Sequence, residues 1–258
     1  MSSSPPFLAR RRSSAPVFIL FALLFTYLPS ASNAKKRNRD SPHHHRGILS
    51  QHRPGPFGSL LVLQKSDEKS LDSGKSVMKQ IPNADDPKGG GRAICVQDIG
   101  APKGAVWNQI LDTNSYVGKV NKLKESANYF VGRNDDGSTK IKTRMVIGVL
   151  PGYKFECFYD HTFVPDKDSL VWSLDYDKTS DFDDVAGHWH LEDHPTKKGC
   201  TRVFYGCDLK LRSAVPGPVM DILTKKALRD ATAWVKKESE AGDPAAIPSD
   251  QFRPAWGW

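Results

Sequence analysis

The spacing of apolar residues along this chain changes from a period of two to a helical period near residue 217, and that change predicts its architecture. Ile141, Thr143, Met145 and Ile147 share one phase, with Lys140, Lys142 and Arg144 on the other. Phe155, Cys157 and Tyr159 alternate with Lys154, Glu156 and Asp160, and Leu170, Trp172 and Leu174 share a face. Trp189 and Leu191 oppose His188, His190 and Glu192, and Val203, Tyr205, Cys207, Leu209 and Leu211 oppose Arg202, Asp208 and Lys210. That alternation is the signature of an antiparallel sheet with one buried and one wet face. It predicts six strands, over residues 122–131, 139–149, 153–163, 169–175, 185–193 and 201–211. Asn134-Asp135-Asp136-Gly137 and Pro151-Gly152 supply hairpin turns between them. Residues 92–99 read as a further strand and residues 76–81 as a short one.

In residues 218–240 the period becomes helical: Val219, Met220, Leu223, Ala227, Ala231 and Trp234 fall in one arc, with Asp221, Lys225, Arg229 and Lys236 opposite. Pro216 and Pro218 suit the start of this helix and Gly242-Asp243-Pro244 its stop. It is about 35 Å long at the standard rise. A shorter helix follows Ala101-Pro102, with Val106, Trp107, Ile110 and Leu111 on one side. The expected class is α+β, with a curved antiparallel sheet of about seven strands wrapped around a long C-terminal helix. No other long amphipathic helix is available to cover the apolar face, and a strongly twisted sheet of this size curls.

Charge divides the chain unevenly. Of 37 Lys and Arg and 29 Asp and Glu in all, residues 1–58 hold nine basic residues and the single acid Asp40, so the rest balances at 28 against 28. A nucleic-acid module carries its positive charge on the folded body, so nucleic acid is not an expected partner. Arg10-Arg11-Arg12, an apolar run over residues 17–28 and Ser32-Asn33-Ala34 have the order of a secretory signal peptide. The expected organisation is a signal peptide over 1–34 and a basic, low-complexity targeting or linker segment over 35–72. A ligand-binding domain over 73–241 and a tail over 242–258 follow, the tail carrying three prolines and Phe252, Trp256 and Trp258. The secretory pathway is the expected destination, with a plastid reached through a bipartite presequence as the alternative. The tail aromatics admit a transient membrane contact.

Ile99-Gly100-Ala101-Pro102, Val106-Trp107 and Ile110-Leu111-Asp112 resemble the opening of the START-like superfamily, in particular its polyketide-cyclase and coenzyme Q-binding branch. Gly187-His188-Trp189-His190-Leu191, Gly199 to Tyr205 and Val215-Pro216-Gly217-Pro218 resemble its second half. The resemblance spans about residues 92–240 and implies a helix-grip fold and a cavity for a hydrophobic small molecule such as a lipid, an isoprenoid or a quinone. Ser115-Tyr116-Val117-Gly118-Lys119 departs from the quinone-binding pattern, which has an apolar run with a proline there.

The candidate cavity residues are Met145, Cys157, Tyr159, Trp172, Trp189, Tyr205, Met220, Leu223 and Ala227, which could equally fill a solid core. Ala227 is expected to face free space above the sheet. His161 stands on the inward phase as a polar contact or base. His188 and His190 lie on the wet face without a third metal ligand, and His43-His44-His45 reads as solvated low complexity. The acidic run over residues 175–184 fails the EF-hand spacing, with Ser180 and Ala186 where glycine and glutamate belong. It reads as a loop at the cavity mouth, offset by Lys178. No nucleophile elbow, C-x-x-C or P-loop is present, so neither a metal nor a cofactor is called for. Carriage or sensing of an apolar ligand is the leading function. A polyketide cyclase-like enzyme using Tyr159, His161 and Tyr205, or an interaction module with a closed cavity, are the alternatives.

Overall fold

A computed structural model describes residues 38–58, 61–81, 92–150, 153–212 and 217–242. The signal-like segment and the aromatic tail lie outside the described residues. The elements run α1 (Lys65–Asp72), β1 (Val77–Ile81), β2 (Arg92–Ile99), α2 (Lys103–Leu111), β3 (Leu123–Arg133), β4 (Thr139–Leu150), β5 (Tyr153–Val164), β6 (Ser169–Leu174), β7 (Phe182–Asp193), β8 (Thr201–Leu211) and α3 (Gly217–Ala241). All strands join one antiparallel sheet of eight, ordered β1-β2-β8-β7-β6-β5-β4-β3. The sheet is one strand larger than expected because the short run at 77–81 pairs with β2. This is a helix-grip arrangement, in which a curved antiparallel sheet is closed by a C-terminal helix.

The C-terminal half of α3 packs across β2, β8 and α2. Leu228, Thr232, Val235 and Ser239 are its buried residues, spaced four, three and four apart, with Trp234 beside them. Ala227 is exposed, which corrects the expected facing of the helix by about one residue. The sheet-facing stripe contains a threonine and a serine, so hydrophobicity alone pointed to the neighbouring arc. Thr232 is accommodated because its hydroxyl donates back to Arg229 O at 3.2 Å and lies 3.3 Å from the Cys95 thiol. The C-terminal end of α3 is tied to the β2–α2 corner. Gly100 N–H donates to Glu240 Oε1 at 2.8 Å and Lys236 Nζ to Asp98 O at 2.9 Å. Among the described residues no helix is long and apolar enough to cross a membrane.

The outer face differs from expectation along β2, β8 and β7. There His188 and His190 are buried, not wet, because residues 38–58 and 61–63 lie across the sheet as a strap. Phe57 packs on the His188 ring at 4.4 Å between centroids, and Gly55 N–H donates to Ser169 Oγ at 2.8 Å. Phe57, Leu61 and Leu63 complete a second apolar cluster with Leu71, Val77, Ile81, Ile94, Val96 and Phe204. Over α1, Arg202 is held by both oxygens of Glu68, at 2.8 and 2.7 Å, and by Asp98, at 2.7 and 2.9 Å.

The start of the strap is fixed by charge. Arg39 donates to both carboxylate oxygens of Asp181, at 3.0 and 2.8 Å, and pairs with Glu156 at 3.0 Å. The backbone N–H groups of Ile48 and Leu49 donate to Asp184 Oδ2 at 2.6 and 2.8 Å. The acidic run at 175–184 is therefore a receptor for the basic segment, while Lys178, expected to offset the run, instead reaches Asp40 at 2.7 Å.

Two predictions follow from this packing. Trp172 lies flat over its cross-strand partner Gly187, and a Cβ at Gly187 would come within 1.9 Å of the indole. Gly187→Ala is therefore expected to cost about 1–3 kcal/mol or more through overpacking, read as a lower urea midpoint with an altered tryptophan emission spectrum. Unchanged stability would show that the indole can move aside.

The second concerns pH. Burial holds His188 neutral, with its pKa lowered to about 3, and lowers that of His52, which Asp208 partly offsets. A folded-state pKa below the unfolded value of about 6.5 gives a contribution fully present above that value and lost as pH falls toward the folded pKa. Urea unfolding should weaken from pH 7.5 to pH 5. In His188→Gln, which cannot be protonated in this range, that loss should be smaller.

Candidate functional site

The inner face of the sheet is assembled in cross-strand rows. Ile141, His161, Trp172, Gly187 and Cys207 form one; Phe163, Leu170, Trp189, Tyr205 and Cys95 form the next. Asn128, Thr143, Tyr159 and Leu174 form a third, and Ser126, Met145 and Cys157 a fourth. Each position follows from the period-two alternation, because residues opposite one another in an antiparallel pair lie on the same face.

These rows bring most of the expected site residues together. Cys157, Tyr159, Trp172 and Trp189 are buried in one core cluster, with Met145 and Tyr205 partly buried against it. Ring centroids are 5.9 Å apart for Tyr159 and His161, 6.0 Å for His161 and Trp172, 5.6 Å for Trp172 and Tyr205, and 4.0 Å for Tyr205 and Trp189. The result is an aromatic band across four strands. Met220 and Leu223 lie outside the residues whose side chains are described. Ala227, being exposed, does not belong to this set.

The middle of the inner face carries no formal charge. Among the described inward-phase residues of β4–β8 the single Asp, Glu, Lys or Arg is Asp193, exposed at the end of β7 beside Lys103. Burial lowers the His161 pKa to about 4, so its imidazole is neutral at pH 7. Its Nδ1–H donates to Ile141 O at 3.1 Å, which leaves Nε2 as the acceptor. Burial also pushes the Tyr159 and Tyr205 phenols well above their ordinary value and the Cys157 and Cys207 thiols up to about 12. These groups can exchange hydrogen bonds but offer neither a base matched to neutral pH nor a thiolate.

A polar cluster at the β3–β4 end was missed by pattern reading. Thr113 Oγ1 and Thr143 Oγ1 donate to Asn128 Oδ1 at 2.5 and 2.8 Å, and Ser126 Oγ donates to Thr113 O at 2.6 Å. The Asn128 amide nitrogen is buried without a partner. The available signal was Thr143, a polar residue in phase with Ile141 and Met145, since inward polar residues require partners.

Two clefts lie beside the strap. One, of about 380 Å³, lies between the strap and β8, lined by Phe57, Leu61, Leu63, Glu68, Arg202 and Phe204 among others. Another, of about 570 Å³, is open and lies beside Pro54, Gly55, Lys103, Asp168 and His190.

No protein-family model matches the chain. No curated protein matches it either. Among solved structures it is similar to a START superfamily protein from Mycobacterium smegmatis, at 15% identity, covering 64% of this chain and 97% of that one with a TM-score of 0.47. It is similar to the Zhui aromatase/cyclase from Streptomyces sp. R1128, at 13% identity, covering 70% and 100% with a TM-score of 0.46. It is also similar to a fragment of a STAR-related lipid transfer protein from Xanthomonas axonopodis, at 11% identity, covering 64% and 93% with a TM-score of 0.46. At these values the likenesses are of outline, and no activity or ligand transfers from any of them.

Proposed function

We propose that the chain binds a neutral hydrophobic small molecule between its sheet and α3, as a carrier or sensor. The observation that carries this reading is the uncharged middle of the inner face of β4–β8, where an aromatic band is accompanied by neutral hydrogen-bonding groups. An ionised ligand would lose hydration there with no countercharge to replace it. Tyr159, His161 and Tyr205 give a ligand's hydroxyl or carbonyl a partner without requiring charge. The same groups weigh against the cyclase alternative, since an imidazole with a pKa of about 4 is a weak base at neutral pH. Export through the secretory pathway, with the mature chain beginning near Lys35, belongs to the same proposal. It rests on the basic, apolar and small-residue order of the first 34 positions.

Met145 is the place to test binding, because it lies on an inward row and is only partly buried. A neutral solvatochromic dye such as Nile red is expected to saturate at one site per chain and to quench tryptophan emission. Met145→Trp should weaken that binding by roughly tenfold or more, equivalent to about 1.4 kcal/mol, with the urea midpoint retained. Absence of saturable binding, together with native mass spectra showing no co-purified apolar species, would reject the reading. So would a Met145→Trp protein that binds unchanged. For export, N-terminal sequencing of cell-derived protein should return a start near Lys35, and a start at Met1 or Ser2 would reject it.

A further inference from the structure

We infer that His44, His45 and Asp183 form a binding site for a divalent transition-metal ion of the zinc class, joining the strap to the start of β7. The ligating atoms of His43, His44 and His45 lie within 4.8 Å of one another. His44 Nε2 is 2.8 Å and His45 Nε2 3.8 Å from the same oxygen, Asp183 Oδ1. Tetrahedral ligands bonded at about 2.0–2.1 Å stand about 3.3 Å apart, so these separations bracket the required edge. His45 Nε2 is also buried with no hydrogen-bond partner, although it faces this carboxylate. Two imidazoles and one carboxylate suit zinc and its neighbours better than magnesium or calcium, which take oxygen ligands.

His43 has a different part. Its Nε2–H donates to Asp183 O at 2.8 Å, while Nδ1 accepts from Ser180 N–H at 3.4 Å. It therefore supports the start of β7, where Asp183 sits, and its ring lies 4.4 Å from that of His44. Lys210 Nζ is 3.8 Å from Asp183 Oδ2, the oxygen turned away from the imidazoles, so the facing oxygen remains for the ion. Ligation has a definite cost. His45 Nδ1 accepts from Gly47 N–H at 3.0 Å, and coordination through Nε2 moves the ring proton to Nδ1 and breaks that bond. At His44, the ion replaces the proton that Nε2 shares with Asp183, and the neutral ring carries its proton on Nδ1 instead. The Gly47 amide is thus a local reporter that a merely electrostatic association would leave unchanged.

The test uses the full chain, freed of metal with a chelator and titrated by calorimetry with Zn2+ and, separately, with Mg2+. One Zn2+ per chain is expected, with no Mg2+ response and a shifted Gly47 amide resonance. His45→Gln and Asp183→Asn should each weaken Zn2+ binding by at least about tenfold. No saturable Zn2+ binding, or equal binding by wild type and both variants, would overturn the site. Because Asp183→Asn could loosen the strap, the visible spectrum of Co2+ bound to the wild type gives an independent reading. Intense tetrahedral bands support the site, and weak octahedral bands overturn it.

Discussion

Along β2, β8 and β7 the sheet is buried on both faces, and this constraint organises the molecule. An amphipathic sheet needs one cover, but a sheet buried on both sides needs two. On the inside the cover is α3, through Leu228, Thr232 and Val235. On the outside it is assembled from the strap and α1, through Phe57, Leu61, Leu63 and Leu71. The β3–β5 end has no such need, and its outer face carries Lys140, Lys142 and Arg144 paired with Asp160, Asp175 and Glu156. On its outer face one continuous sheet therefore has a wet end and a dry end, and the dry end holds the buried His188 and His190.

The two faces of the sheet solve desolvation differently. On the inside, ionisable groups are kept neutral: His161, Tyr159, Tyr205 and the thiols all have pKa values moved away from ionisation at pH 7. On the outside, charges are retained but saturated with partners, as where Arg202 takes four contacts from Glu68 and Asp98. Pairs of this kind specify one docking arrangement, since separating either partner leaves a buried charge exposed to an apolar surface. The interior suits an uncharged guest, whereas the exterior suits a fixed piece of the chain's own backbone.

Much of this was legible in the residues. Alternation from Ile141 to Leu211 placed Cys157, Tyr159, Trp172 and Trp189 on a common buried face, because a period of two has only two phases. The facing of α3 was less legible, since Thr232 and Ser239 occupy buried positions and made the true stripe look polar. The strap was illegible for a stronger reason. His43, Gly55 and Phe57 have no periodicity of their own, and their places are set by Asp183, Ser169 and His188, more than a hundred residues away. Local pattern carries no information about such pairings, and a basic stretch low in hydrophobicity reads as solvated until its acidic receptor is seen.

The fastening of α3 at Glu240 and Lys236 also has a mechanical meaning. A helix of 25 residues held near its last turn is a lever whose far end lies about 30 Å from the pivot. A tilt of about 10° there carries the first turn roughly 5 Å while barely displacing Trp234. The geometry magnifies small rearrangements at the β2–α2 corner, where Glu240 grips Gly100 and Lys236 grips Asp98.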